Sequence, residues 1–292
     1  MSDSPVEWAE LRPDDFRARL QACPVVYLPM GLCEPHGHIA ALGLDLIKAE
    51  YYCQQAARRF GGIVAPSQGY HIHECGFHAP WLAEVVGEEN PFLAALPPHV
   101  MLHTFLYQLR AFANTGFKSV VAVSGHSGGS QEDLRLVAKL FSQRTGIPVI
   151  MKTDPEWVQG IYVGDHAGRY EISQLLDIRP DLVDMNLLHR QQDPGSGGRL
   201  ALGEDAAEAT AAKGHAINQA ILSAIGITVA ELVSQHHRSN HNTPMLSYAD
   251  IESMWSEITA NSFQWNSWNP YAHQPLVPDQ SKWSSYTRAI VK

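Results

Sequence analysis

The sequence predicts an α/β fold, with a mostly parallel central sheet and helices on both faces. Three observations lead there. Short apolar runs alternate with amphipathic helical segments through the first half, the pattern of parallel βαβ units. Hydrophobic residues make up 45% of the chain and charged residues 17%, which supplies a core and argues against global disorder. The densest groups of His, Glu and Asp come directly after the apolar runs, at the carboxyl edge of such a sheet, where ligands bind.

The elements can be taken in chain order. Residues 7–20 read as an opening amphipathic helix, and residues 24–30 (PVVYLPM) as a buried strand. Residues 46–60 carry Ala49, Tyr52, Cys53, Ala56 and Phe60 at helical spacing and stop at Gly61-Gly62. Residues 63–65 form a second strand, 99–114 a helix, and 119–124 (SVVAVS) a strand by its β-branched content. A helix over 131–144, closed by Gly146, leads to a strand over 147–152. Helices are expected near 168–176, 205–225 and 228–237, the last opened by a capping box from Thr228 to Glu231. Pro194–Gly198 reads as an exposed loop. Residues 1–238 form one domain. From residue 239 the composition turns to Asn, Ser, Pro and Trp, and 239–292 reads as an aromatic-rich extension packing on the domain or on a neighbouring subunit.

Composition narrows the function. Over 292 residues, 21 Lys plus Arg against 30 Asp plus Glu give a net charge of −9, without the basic stripe of a nucleic-acid binder. No apolar run reaches the roughly 18 residues of a membrane span. The polar, acidic start MSDSPVEWAELRPDDF is unlike a signal peptide. Four cysteines in a chain this long make no disulfide framework, so a reducing cytoplasm is expected. The unusual count is 15 histidines, which turns attention to metal chemistry.

Four clusters carry candidate chemistry. In residues 31–45 (GLCEPHGHIAALGLD), Glu34, His36 and Asp45 are oxygen and nitrogen ligands suited to zinc or manganese, and the glycines permit a tight backbone around them. A polar loop with a solvated Glu and a packed His is the plainer alternative. Residues 124–130 (SGHSGGS) admit two readings. His126 reaches a metal from the end of its strand, or Gly125-His-Ser127-Gly-Gly129 is a G-x-S-x-G nucleophile elbow with Ser127 attacking, completed by a later Asp and His such as Asp205 and His236. The elbow leaves Glu34, His36 and Asp45 unexplained. In residues 164–173 (GDHAGRYEIS), His166 and Glu171 are five apart, so they converge only if His166 precedes a helix and Glu171 lies one turn inside it. In residues 69–78 (GYHIHECGFH), His71 and His73 alternate and face one side of an extended chain, as pocket-lining candidates.

Together these clusters resemble the creatininase (creatinine amidohydrolase) family. The resemblance rests on Pro29-Met-Gly31-Leu-Cys-Glu34-Pro-His36-Gly37 with Asp45 nine residues after His36, on Gly125-His126-Ser127-Gly128-Gly129 after a strand, and on His166-Ala167-Gly168-Arg-Tyr-Glu171-Ile-Ser173. It covers roughly residues 20–235. It implies a three-layer αβα sandwich, two divalent metal ions (zinc, manganese or iron), and a homohexamer built as a trimer of dimers. Carried over, Glu34 and His126 hold one metal, His36 the other, and Asp45 bridges; His166 matches the catalytic histidine. Where creatininase has a Glu two residues after the second-motif His, this chain has Gly128, and Glu171 is the nearest replacement. Ser124 and Ser130 stand for two asparagines, and His38-Ile39-Ala40-Ala41 for Pro-His-Leu-Pro. His73, His78, Tyr162 and Ser127 are the candidate substrate contacts.

The expected function is metal-dependent hydrolysis of a C–N bond in a small cyclic amide or related compound. Two ions lower the pKa of a shared water, an ion and pocket donors stabilise the oxyanion, and His166 protonates the leaving group. The alternatives are ring opening of an inositol-derived ketone on the same site, a serine hydrolase built on Ser127, and a non-enzymatic metal-binding assembly protein. The partner expected is a small-molecule substrate, with no nucleic acid and no membrane.

Overall fold

The computed structural model describes residues 5–73, 92–191, 193, 201–238, 245–262 and 265–268. The expected substrate contact His78 and the loop Pro194–Gly198 lie outside them.

Four parallel strands among the described residues form one sheet: β1 (Val25–Met30), β2 (Ile63–Val64), β3 (Ser119–Ser124) and β4 (Val149–Thr153), in the order β2-β1-β3-β4. The register pairs Val26 with Ile63 on one side of β1 and Met30 with Ser124 on the other. Around them run α1 (Pro13–Ala22), α2 (Leu44–Phe60), α3 (Pro98–Thr115), α4 (Ser130–Thr145), a short α5 (Asp154–Trp157), α6 (Arg169–Ile178), α7 (Ala211–Arg238) and α8 (Tyr248–Ala260).

Alternation along the central strands explains the layers, because successive side chains point to opposite faces. Val26, Leu28 and Met30 face Phe105 and Leu106 of α3, Leu134 and Val137 of α4, and Ile251 and Met254 of α8. Val25 and Tyr27 face Tyr52, Cys53 and Ala56 of α2 and Ile217, Ile221 and Ile225 of α7. The sheet is thus covered on both sides, and the fold is the expected αβα sandwich. All six residues of β1 and of β3 are buried, as doubly covered parallel strands require.

Three helix boundaries differ from expectation. Residues 7–20 do not form one helix: a 3-10 turn spans Trp8–Glu10, and α1 begins only at Pro13, which fits a first helical position because it lacks an N–H. Helix α2 starts at Leu44, so Asp45 sits inside its first turn. The expected pair over 205–225 and 228–237 is a 3-10 turn at Ala206–Glu208 and then one continuous helix, α7. Gly226 does not break it. A Cβ there would come within 2.5 Å of the Phe60 ring, so glycine serves close packing between helices. Ile221, Leu222, Ile225, Val229 and Leu232 keep one buried stripe running straight through.

Helix α7 is long and apolar enough to cross a membrane by composition. Its buried stripe is taken up by α2 and the sheet, and Asn218 within it accepts a hydrogen bond from the buried Tyr52 hydroxyl at 2.6 Å, so it is a core helix.

In the extension after residue 238, Leu246, Ile251, Met254, Ile258 and Trp265 join the core cluster under α3 and α4. Asp133, in the first turn of α4, accepts from the Asn266 and Ser267 backbone N–H groups at 2.9 and 2.8 Å.

The chain order creates a switch point between β1 and β3. From β1 the chain passes through α2 to β2 on one side; from β3 it passes through α4 to β4 on the other. The loops leaving the two strands diverge there and open a crevice at their carboxyl ends. The first turn of α2 fills its base. A Cβ on Gly31 would overlap the Leu46 backbone, and one on Gly125 would overlap the Asp45 carbonyl. Gly125→Ala is therefore expected to destabilise the protein by about 1–3 kcal/mol through overpacking. Denaturant unfolding should show a lowered midpoint, and an unchanged midpoint would mean the wedge is not tight.

Candidate metal centre

Five side chains named from the sequence converge in this crevice. Glu34 and His36 come from the loop after β1, Asp45 from α2, His126 from the loop after β3, and Glu171 from α6. Backbone hydrogen bonds fix three of these positions. Glu34 N–H donates to the Leu42 carbonyl at 2.9 Å, closing the loop. Ser124 Oγ donates to the His126 carbonyl at 2.7 Å and accepts from its N–H at 3.1 Å, pinning the turn that projects this imidazole. Asp165 accepts from Gly168, Tyr170 and Glu171 N–H groups at 3.1, 2.7 and 3.2 Å, satisfying the N-terminus of α6. His166 lies before that helix and Glu171 in its first turn, the one arrangement that lets them meet.

Two groups of three share Asp45. Glu34, Asp45 and His126 form one, and His36, Asp45 and Glu171 the other, with ligand atoms in each within 4.8 Å of one another. His126 Nδ1 is 2.8 Å from Glu34 Oε1 and 3.3 Å from Asp45 Oδ2. His36 Nε2 is 3.2 Å from Asp45 Oδ1 and 3.6 Å from Glu171 Oε2. All five side chains are buried. His166 stands over them, 39% exposed, with Nδ1 3.9 Å from both Glu34 and Glu171 and its ring 4.9 Å from that of His36.

The arrangement asks for cations. His36 Nδ1 donates to the Glu34 carbonyl at 3.0 Å, so a neutral ring turns the bare Nε2 lone pair on two carboxylates. That atom is buried and makes no hydrogen bond among the described residues. Burial alone would depress the His36 pKa, yet Asp45, Glu171 and Glu34 push it up to about 9. Burial likewise opposes charge on Glu34, but His126 and His166 outweigh it and hold the carboxyl well below its usual range. Asp45 is lowered in the same way by His126 and His36 against its own desolvation. His71, buried and facing His126, is driven down to about 3, first by desolvation and then by that neighbour, so it stays neutral. Buried carboxylates grouped with imidazole nitrogens fit hard or borderline divalent ions. Glu34, Asp45 and His126 could hold one ion, and His36, Asp45 and Glu171 a second.

The other sequence-named residues fall in different places. His73 joins the group, with Nε2 3.4 Å from Glu34 Oε2 and its ring stacked 5.8 Å from that of His126. Tyr162 packs half-buried against the Trp157, Val158 and Tyr170 cluster. Ser127 is exposed, and the structure corrects the elbow reading. Among the described residues Ser127 makes no hydrogen bond to a histidine, and its backbone lacks the strained positive φ that Ala167 shows at 48°. Asp205 instead accepts the Arg169 N–H at 2.9 Å, at the start of α6. In the SGHSGG turn Gly125 serves close approach, and Gly129 takes a left-handed φ of 90° with its N–H donating to Gln131 Oε1 at 2.7 Å.

Sequence reasoning missed Lys48 and Asp154. Lys48 lies three residues after Asp45 on the buried stripe of α2, and its ammonium bonds Glu171 Oε1 and stands 3.2 Å from Asp154 Oδ1. A lysine between Leu44 and Tyr52 on an otherwise apolar face was the signal that could have found them.

Fold and clusters together define a metal-dependent hydrolase with places for two divalent ions. Comparison with known proteins then narrows the class. The creatininase family model, creatinine amidohydrolase, matches residues 9–229. The chain is 27% identical to the creatinine amidohydrolase of Pseudomonas putida over 197 residues, 61% of this chain and 73% of that protein. It is 24% identical over 139 residues to the 3-dehydro-scyllo-inosose hydrolase of Thermotoga maritima, spanning 40% of that protein. A crystal structure of creatininase shares the fold, with a TM-score of 0.64 at 21% identity, covering 80% of this chain and 99% of the other. The chain belongs to the creatininase family.

Asp45→Ala removes the carboxylate common to both clusters and is expected to lose most bound divalent metal. Elemental analysis of protein purified without chelator checks this, and full stoichiometry in the variant would exclude a shared ligand.

Proposed function

We propose that the protein hydrolyses a carbon–nitrogen bond of a small cyclic amide, or of a compound of like shape, with two ions held as above. The observation that carries the reading is the pair of clusters sharing Asp45, with His166 exposed at their edge. Such ions, when bound, acidify a shared water and polarise a carbonyl. The chain's residues do the rest. Glu34, Asp45 and Glu171 supply the negative charge that holds the cations, and the Glu34 carbonyl sets the tautomer of His36. His166 Nδ1 faces Glu34 and Glu171, so the ring is oriented by carboxylates while its other edge meets solvent and substrate. It delivers a proton to the leaving nitrogen. His73, 3.4 Å from Glu34, and the exposed Ser127, next to His126 in the chain, are the proposed substrate contacts.

The Thermotoga maritima relative supports a second reading, ring opening of a cyclic ketone at the same site. Ser124 and Ser130, in place of two asparagines, and His38-Ile39-Ala40-Ala41 are the departures that bear on that choice. We further propose zinc, manganese or iron as the metal, a homohexamer arranged as a trimer of dimers, and a cytoplasmic location. Cys23, Cys33 and Cys53 are free thiols, in keeping with a reducing compartment.

The test is a substrate screen of metal-loaded protein against cyclic amides, creatinine included, and cyclic ketones. Amide turnover abolished by chelation and restored by Mn²⁺ or Zn²⁺ is expected. Ketone turnover alone would select the second reading. His166→Ala should keep both ions and lose rate by about 10²–10⁴-fold, the usual worth of a general acid–base residue. Ser127→Ala should keep substantial activity; its inactivity, with turnover insensitive to chelator, would overturn the metal mechanism.

A further inference from the structure

The best-defined feature outside the ligand group is the buried lysine behind it. Lys48 is 1% exposed, an extreme position for a lysine. Its ammonium bonds Glu171 Oε1 and stands 3.2 Å from Asp154 Oδ1. Asp154 is held in turn by Gln174 Nε2, which donates to its Oδ2 at 3.0 Å and to the Tyr52 hydroxyl at 2.6 Å. Glu171 Oε2 accepts the Ala167 N–H at 2.8 Å and faces His36 Nε2 at 3.6 Å. Both oxygens of Glu171 are therefore engaged, each on a different side. One is tied inward to the helix layer, and the other is turned toward His36 and Asp45.

We propose that Lys48 is a positioning residue for the second metal ion, holding Glu171 so that it offers a single oxygen, Oε2, beside His36 and Asp45. The inference rests on the reading of Glu171 as a ligand of that ion. The need for such a device comes from the chain itself. The loop after β3, residues 124–130, carries no carboxylate, and the cluster of His36 and Asp45 is completed from α6 by Glu171. A free Glu171 has three side-chain torsions to fix, and Asp154 behind it would repel it. The ammonium removes both problems. Among the described residues, the ion pairs of Glu34 and Asp45 are with histidines, so the ammonium is bonded directly to a carboxylate of one cluster only.

Ion retention provides the test. Full-length holoprotein is dialysed against stepwise lower free Mn²⁺, and bound ions per chain are counted by elemental analysis. Lys48→Met is expected to release one ion at about 10–100-fold higher free Mn²⁺ than wild type, the usual cost of losing a partner of a metal ligand, while the other ion is retained as before. Because Lys48→Met strands Asp154, the double variant Lys48→Met/Asp154→Asn is measured beside it, with the same shift expected. Unchanged retention of both ions in either folded variant overturns the proposal. So does loss of the fold in both, since Lys48 would then be a general structural residue. Glu171→Gln separates the two ideas. If it keeps both ions, the ligand reading of Glu171 fails. If it loses one while the Lys48 variants keep two, only the positioning role fails.

Discussion

Everything at the centre of this protein depends on how closely three pieces of backbone approach one another. The first turn of α2, with Asp45, is wedged between the carboxyl ends of β1 and β3. Glycine at 31 and at 125 makes room, since a Cβ at either would overlap the α2 backbone. The sheet's strand order puts the crevice there, because the connections from β1 and β3 leave in opposite directions. Asp45 thereby stands between the loop carrying Glu34 and His36 and the loop carrying His126. A shared carboxylate is the geometric result of a helix N-terminus seated at a switch point.

Burial then sets the charge problem. Glu34, Asp45, Glu171 and Asp154 are all out of solvent, and Lys48 is the buried ammonium facing the last two. Removing one partner of a buried pair leaves an uncompensated charge, typically worth about 3–5 kcal/mol. His36 relieves part of this only by taking up a proton, as its raised pKa shows. Divalent ions relieve it without protonating the ligands. The same crevice that places the ligands thus gathers the negative charge that divalent cations would offset.

The sequence made the layers and five ligand candidates legible for a simple reason. Strands of a parallel sheet are continuous apolar runs, and each run ends at the carboxyl edge of the sheet. Glu34, His36 and His126 could be placed on that basis alone. His166 and Glu171 needed the added condition that a helix begin between them, which Gly168 meets. The relations between elements stayed hidden. Gly226 reads as a break until the Phe60 ring is seen against it. Thr228 and Glu231 mimic a helix start although the apolar stripe runs past them. Ser127 matches a nucleophile elbow by spacing, and what distinguishes it is a backbone without positive φ and, among the described residues, no hydrogen bond to a histidine. Lys48 was invisible as a functional residue because its partners, Glu171 and Asp154, are more than a hundred residues away in the chain.

The absence of a carboxylate at position 128 has a mechanical consequence. With a ligand from the β3 loop, both ions would be held by the sheet edge and the start of α2. With Glu171 in that place, a second ion would be tied to α6. That helix packs on α2 and α7, and Gln174 in it joins Tyr52 of α2 to Asp154 at the end of β4. Asn218 of α7 extends the chain of bonds, accepting from Tyr52 and donating to Asp177 at 2.9 Å. One half of the site is therefore held by strand ends and glycine contacts. The other half is held through side chains that cross the helix layer. Displacement of α6 against α2 and α7 acts first on Glu171 and on His166 at its entrance, and leaves Glu34, Asp45 and His126 where they are.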